Sequence, residues 1–226
     1  MIIRAVQKFS AVDYPGLLCA TVFTPGCNLR CPFCHNGSLV LGSEPDLREE
    51  VVFDFLETRK NKLDAVCLSG GEPLLQKGVQ EFFRKVKEMG FKTKLDTNGT
   101  KPAYLKELLD SGLVDYVAMD IKNSPSRYSE TVGLKAFNLS DIYKSIEVLK
   151  TSGVEHEFRT TVTKTFHNKE SLLEAAEMID GASVWYLQTF RESENLIDPT
   201  VEGYSEEEMK SLFDFLRESV PFVRMR

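Results

Sequence analysis

Low-polarity stretches rich in β-branched residues recur along this chain, and each is followed by a segment of helical period. That alternation limits the fold more than any other feature. Leu18–Thr24, Ala65–Leu68, Lys92–Thr97, Asp115–Lys122, Val154–Thr163 and Ser183–Phe190 are the predicted strands. Leu47, Val51, Phe55 and Leu56 form the first helical stripe, opened by Asp46 and Glu49 at capping-box spacing. Val79, Phe82, Phe83 and Val86 form the second, and Leu105, Leu108 and Leu109 the third, behind Pro102. Ile142, Ile146 and Leu149 follow Ser140, and Leu172, Leu173, Ala176 and Ile179 follow Asn168. Met209, Leu212, Phe213 and Leu216 follow Ser205, with Glu208 completing a second capping box. Four helices run into Gly90, Gly112, Gly153 and Gly181, placed to close them in the left-handed conformation. Six strand-then-helix units in 226 residues imply a parallel α/β sheet with right-handed crossovers. Residues 1–226 hold no linker or charge block and read as one domain. Six units fall short of the eight-fold barrel of about 250 residues. An open partial barrel or a doubly wound sheet is expected.

Composition removes several functions. Lys and Arg number 28 against 34 Asp and Glu, a net charge of −6, so no basic stripe is available for phosphates and no nucleic-acid partner is expected. No apolar run approaches the roughly 20 residues of a membrane helix, and no membrane partner is expected. The start, MIIRAVQKFS, has no long apolar region of a secretory signal. Five cysteines, an odd number, then point to reduced thiols and a cytoplasmic protein.

Polar clusters gather where strands end. Cys27, Cys31 and Cys34 follow the first predicted strand, and Ser69-Gly70-Gly71-Glu72-Pro73 the second. Asp96-Thr97-Asn98-Gly99 ends the third, and Asp120-Ile121-Lys122 the fourth. In parallel α/β folds these ends share one face, where sites are built. On the fifth strand, alternation places Glu155, Glu157, Arg159 and Thr161 on one side and Val154, Phe158 and Val162 on the other. With helices covering the apolar side, Glu157 and Arg159 point inward, toward a ligand.

Three cysteines in C-x3-C-x2-C can reach one metal centre. Structural zinc wants four protein ligands, and His35 is adjacent to Cys34, too close in sequence for both to meet one tetrahedral ion readily. An iron–sulfur cube takes one thiolate per iron, and three thiolates leave one iron open for chemistry. The spacing favours the cube and leaves zinc as the alternative.

The cysteine loop, with Phe33 before its last cysteine, resembles the radical S-adenosylmethionine superfamily, as do Gly70-Gly71-Glu72-Pro73, the order of elements and the length. Ser10-Ala11-Val12-Asp13-Tyr14-Pro15-Gly16, Cys34-His35-Asn36 and Asp120-Ile121-Lys122 resemble its glycyl-radical-enzyme activating branch. Within that branch the chain looks most similar to activators of anaerobic ribonucleoside-triphosphate reductase. The resemblance implies a partial (β/α)6 barrel of TIM type with outer helices. It implies that Cys27, Cys31 and Cys34 hold a [4Fe–4S] cluster whose open iron is chelated by S-adenosylmethionine. Phe33 and His35 are then expected along the adenosine, and Gly70, Gly71 and Glu72 at the methionine amino group. Asp120 and Lys122 are expected at the ribose and carboxylate, with Arg159 in the lumen. Asp96, Thr97 and the main chain of Met119 resemble a monovalent-cation site of pyruvate formate-lyase activase. Gln188 falls where that activase has a histidine against the cofactor, a departure from the pattern.

The implied activity is an oxidoreductase reaction. A flavodoxin or ferredoxin supplies an electron, S-adenosylmethionine is cleaved reductively, and the resulting radical takes hydrogen from a glycine of a partner glycyl radical enzyme, expected to be anaerobic ribonucleotide reductase. Ser124–Asn138 is the expected partner-facing flap, and no second cysteine cluster is present for an auxiliary centre. The alternatives are a radical enzyme acting on a small molecule, of the 7-deazaguanine synthase type, and a non-catalytic zinc-binding module. Blander roles also stand. Cys19 and Cys67 read as buried strand residues, Asp96 and Asp120 as partners of Lys94 and Lys122, His156 as packed core and His167 as exposed.

Overall fold

The computed structural model describes residues 1–42 and 45–226. One eight-stranded sheet runs in strict sequence order: β1 (Ala5–Ser10), β2 (Cys19–Thr24), β3 (Ala65–Gly70), β4 (Lys92–Thr97), β5 (Tyr116–Asp120), β6 (Glu155–Val162), β7 (Trp185–Thr189) and β8 (Val223–Met225). β2 to β8 are parallel neighbours, and β1 is added antiparallel at the edge beside β2. The six predicted strands correspond to β2–β7, and β1 and β8 extend the expected six-strand sheet at both edges. β1 escaped the sequence pattern because only one of its six residues is buried, and β8 because it has three residues.

The helices are α1 (Gly37–Leu41), α2 (Glu49–Glu57), α3 (Val79–Glu88), α4 (Pro102–Asp110), α5 (Tyr128–Thr131), α6 (Ser140–Ser152), α7 (Lys169–Met178) and α8 (Glu206–Arg217). α3 shows why they form. Val79, Phe82, Phe83 and Val86 fall on one face and all become fully buried, each contributing roughly 1.5–3 kcal/mol of transfer free energy as an upper bound. β3 and β5 are nearly continuous apolar runs because helices cover a parallel sheet.

α7 and α8 start with reciprocal capping boxes at Asn168/Ser171 and Ser205/Glu208. α2 does not. Its N-cap is Arg48 with no side-chain cap, and Asp46 turns to Arg4 instead, at 3.1 Å. Gly90, Gly112, Gly153 and Gly181 all take positive φ, as expected for residues that close helices. Among the described residues, no helix is long and apolar enough to cross a membrane.

Candidate active site

Thr24 ends β2, and the chain then crosses the strand ends as the cysteine loop. Three other segments hold that loop, through four hydrogen bonds. Arg30 N–H donates to Val132 O (2.9 Å), and the Asn36 side chain donates to Gly70 O (3.1 Å). The Asp198 N–H bonds Pro32 O (2.9 Å), and Gly37 N–H bonds Asn195 O (3.0 Å). The segment Ser124–Asn138, expected as a partner-facing flap, also anchors the cysteine loop. Tyr128, Thr131 and Val132 are buried, and a side chain at Gly133 would run into the Arg30 carbonyl.

Cys27, Cys31 and Cys34 line one cleft together with Phe33, His35, Gly70, Gly71, Asp96, Thr97, Asp120, Lys122 and Arg159. The strand-end argument thus brings four separate sequence clusters to one place. Asn36, Ser69 and Asn98, quoted within motifs but given no role, also line it, as do Leu29, Val40, Thr161 and Ile197. Val40 and Ile197 had no sequence signal, since a single aliphatic residue in a loop looks like any other.

Three predicted members lie outside the cleft lining. Glu72 is fully buried and accepts from Asn98 N–H (2.7 Å), Leu74 N–H (3.0 Å) and the Thr97 hydroxyl (2.8 Å). Burial pushes its carboxyl up to about 7, against the pull of these donors. It braces two strand ends rather than facing a ligand. Gln188 on β7 and Met119 on β5 also do not reach the lining. The close approach at Gly70 and Gly71 is to the chain's own backbone. A Cβ there would collide with Thr24 and with the Gly26 carbonyl respectively.

A charged ladder crosses the inner face. Lys94 pairs with Asp96, and Asp96 with Arg159 (3.2 Å). Arg159 pairs with Asp120 (3.0 Å), and Asp120 with Lys122 (2.9 Å). Burial alone would raise Asp96, but Arg159 and Lys94 hold it at about 2. Burial alone would lower Lys122, but Asp120 and the nearby Cys31 keep it above the ordinary lysine range. All five stay ionised at neutral pH.

The donor set fits an iron–sulfur cube. Among the described residues, no three His, Cys, Asp or Glu side chains converge as a single ion requires. Three thiols that share one cleft supply one ligand to each of three irons of a cube and leave the fourth iron open. The Cys27 sulfur accepts from Leu29 N–H (3.4 Å) and from the Asn98 amide (3.6 Å). Donors of this kind support a ligating thiolate. Burial pushes the Cys31 thiol up to about 12 and also raises Cys27. Phe33 packs between Phe166 and His167 (5.9 and 6.3 Å), and His35 lies at the mouth against Phe190 (5.4 Å). Contrary to expectation, His167 is buried. Its ring bonds Lys122 O (2.8 Å), and burial lowers its pKa to about 4.

The sequence profile of the Radical SAM superfamily matches residues 21–180. The chain is 35% identical over 196 residues to "Putative glycyl-radical enzyme activating enzyme MJ1227" of Methanocaldococcus jannaschii, covering 84% of this chain and 80% of that one. It is 37% identical over 131 residues to the pyruvate formate-lyase-activating enzyme of Listeria monocytogenes, spanning about half of each, 53% and 52%. The fold superposes on Streptococcus suis SuiB bound to S-adenosylmethionine with a TM-score of 0.70 at 15% identity, over 91% of this chain and 51% of that one. A profile that runs from within β2 through the cysteine loop and past β6, and a relative aligned over most of its length, place this chain in the radical S-adenosylmethionine superfamily, within the family of glycyl-radical-enzyme activating enzymes.

Proposed function

We propose that this chain places a radical on a glycine of a partner glycyl radical enzyme, an anaerobic ribonucleotide reductase, using an electron from a flavodoxin or ferredoxin. The observation that carries this reading is the shared cleft of three cysteine thiols and the Asp120–Lys122 pair at the strand ends. In it, Cys27, Cys31 and Cys34 hold the superfamily's [4Fe–4S] cluster. With S-adenosylmethionine bound, that cluster supplies reductive cleavage and a hydrogen-abstracting radical. Lys122 and Arg159 attract the ligand carboxylate, Asp120 accepts from the ribose, and Phe33 and His35 flank the adenosine. Gly70 and Gly71 keep the wall close, and Glu72 holds it from behind.

β1 and β8 are the two ends of the strand order and do not pair with each other. That opening supports entry of a protein loop. The choice of reductase rests on Asp13-Tyr14-Pro15-Gly16, Cys34-His35-Asn36 and Asp120-Ile121-Lys122 together.

The test is electron paramagnetic resonance of the reduced, cluster-loaded protein mixed anaerobically with S-adenosylmethionine and the reductase. A glycyl doublet is expected, and it should vanish when the reductase's radical glycine is alanine. If 5′-deoxyadenosine accumulates while no glycyl radical enzyme gains the signal, the small-molecule reading replaces this one.

A further inference from the structure

Asp96, Thr97 and Met119 were expected to gather a monovalent cation, and their geometry does not suit one. Both Asp96 oxygens are already engaged, Oδ1 by the Lys94 ammonium and Oδ2 by Arg159 (3.2 Å). The Thr97 hydroxyl gives its proton to Glu72 (2.8 Å) and accepts from Gly99 N–H (3.2 Å). The main chain of Met119, the third expected group, runs beside Thr97 on the neighbouring strand, so the carboxylate of Asp96 is the one anionic group of the three. An alkali ion arriving here would meet two charged side chains already neutralising this carboxylate.

Lys94 is an unusual residue for this position. It sits mid-strand in β4 and is 1% exposed, and among the described residues its nitrogen has Asp96 and the more distant Cys67 sulfur (3.9 Å) as hydrogen-bond partners. An unpaired lysine at such depth would be expelled or neutralised. Burial alone would strip its proton, and the Asp96 charge holds the proton on.

The count of charges gives this lysine a purpose. Lys94, Arg159 and Lys122 carry three positive charges, and Asp96 and Asp120 carry two negative ones. The ladder is therefore positive by one, which suits the carboxylate of an amino-acid ligand in the cleft. Without Lys94 it would be neutral, and Asp96 would face the ligand carboxylate with only a shared guanidinium to screen it. We propose that the Lys94 ammonium is the built-in cation of this site and that the protein needs no alkali-metal ion at Asp96 and Thr97.

The proposal rests on S-adenosylmethionine binding in this cleft. The experiment measures its affinity for the cluster-loaded protein in potassium, sodium and choline chloride at equal ionic strength. The wild-type affinity should stay within about two-fold across the three salts. Lys94→Met, close in volume, should lose about ten-fold or more in choline and regain it in potassium, roughly the worth of one charge-assisted contact. A wild-type affinity that rises about ten-fold from choline to potassium overturns the proposal. So does a Lys94→Met protein that binds like wild type in choline. Should Lys94→Met not fold, the wild-type comparison decides alone. Absence of binding in every salt strikes instead at the functional reading, so the two failures are distinct.

Discussion

The inner face of the sheet carries cysteines in two places, and their surroundings differ. At the carboxyl ends of the strands, Cys27, Cys31 and Cys34 share a cleft with a lysine and an arginine, and Cys27 receives two N–H donors. Deeper in, Cys19 and Cys67 pack with Tyr14, Ala65 and Tyr116. Burial raises both of these thiols, Cys67 well above the ordinary range, and the donor near Cys67 is the Lys94 ammonium at 3.9 Å, which Asp96 already holds. The residue type is the same, but one setting stabilises an anion on arrival of iron and the other keeps a neutral thiol. Buried ions differ in the same way. The upper ladder faces a ligand, whereas Glu157, fully buried, is closed off by Arg226 (3.0 Å) and the Tyr116 hydroxyl (3.0 Å).

The contrast can be broken from either side. Its largest expected effect is at Cys31. Cys31→Ala should fold but lose the cluster, with iron and acid-labile sulfide falling to background after anaerobic reconstitution. Full iron content in this variant would mean that another group is the ligand. Next come Asp120→Ala and Lys122→Ala, which should keep iron but weaken S-adenosylmethionine binding about ten-fold to a hundred-fold, about 1.5–3 kcal/mol. Anaerobic calorimetry that finds both variants unchanged would move the ligand out of this cleft.

Arg226→Met addresses the lower ions. It leaves Glu157 buried with Tyr116 as its one remaining partner, and should cost about 2 kcal/mol. That is below the cost of breaking a fully buried pair, because Arg226 is 33% exposed. Denaturant melts should show the loss and ligand affinity should not. A change in affinity would join the two regions that the comparison separates. Smallest is Cys67→Ala, a sulfur-sized cavity worth about 1 kcal/mol, with iron content unchanged. A folded Cys67→Ala protein that takes up no cluster would contradict the division outright.

Much of this was legible because the alternation of strands and helices is strong, and because topology brings distant strand ends together. Cys27, Gly70, Asp96 and Lys122 were placed on one face without a contact being known. What stayed hidden was direction. Glu72 adjoins two cleft glycines, yet its carboxylate turns inward to Asn98 and Thr97, since three donors waited there. His167 precedes a helix, a place that is usually exposed, but its ring fits under Phe33 and binds the Lys122 carbonyl. Lys94 read as a simple partner for Asp96. Its burial, which gives the pair its interest, depends on how the sheet packs around β4, flanked by β3 and β5, and no local pattern announces that.

The clasp of the cysteine loop by Asn195 and Asp198 has a consequence for the order of events in a cell. The three thiols leave the ribosome early, while the backbone groups that pin Gly37 and Pro32 lie about 160 residues later. At roughly 5–20 residues per second, synthesis leaves an interval on the order of ten to thirty seconds. During it the loop has its cysteines but not its clasp. Iron delivered in that interval meets an unfinished cradle, so cluster insertion on a completed chain is the productive order. Oxidants would meet the same thiols at their least protected moment, so anaerobic surroundings would guard the protein while it is being made as well as while it works.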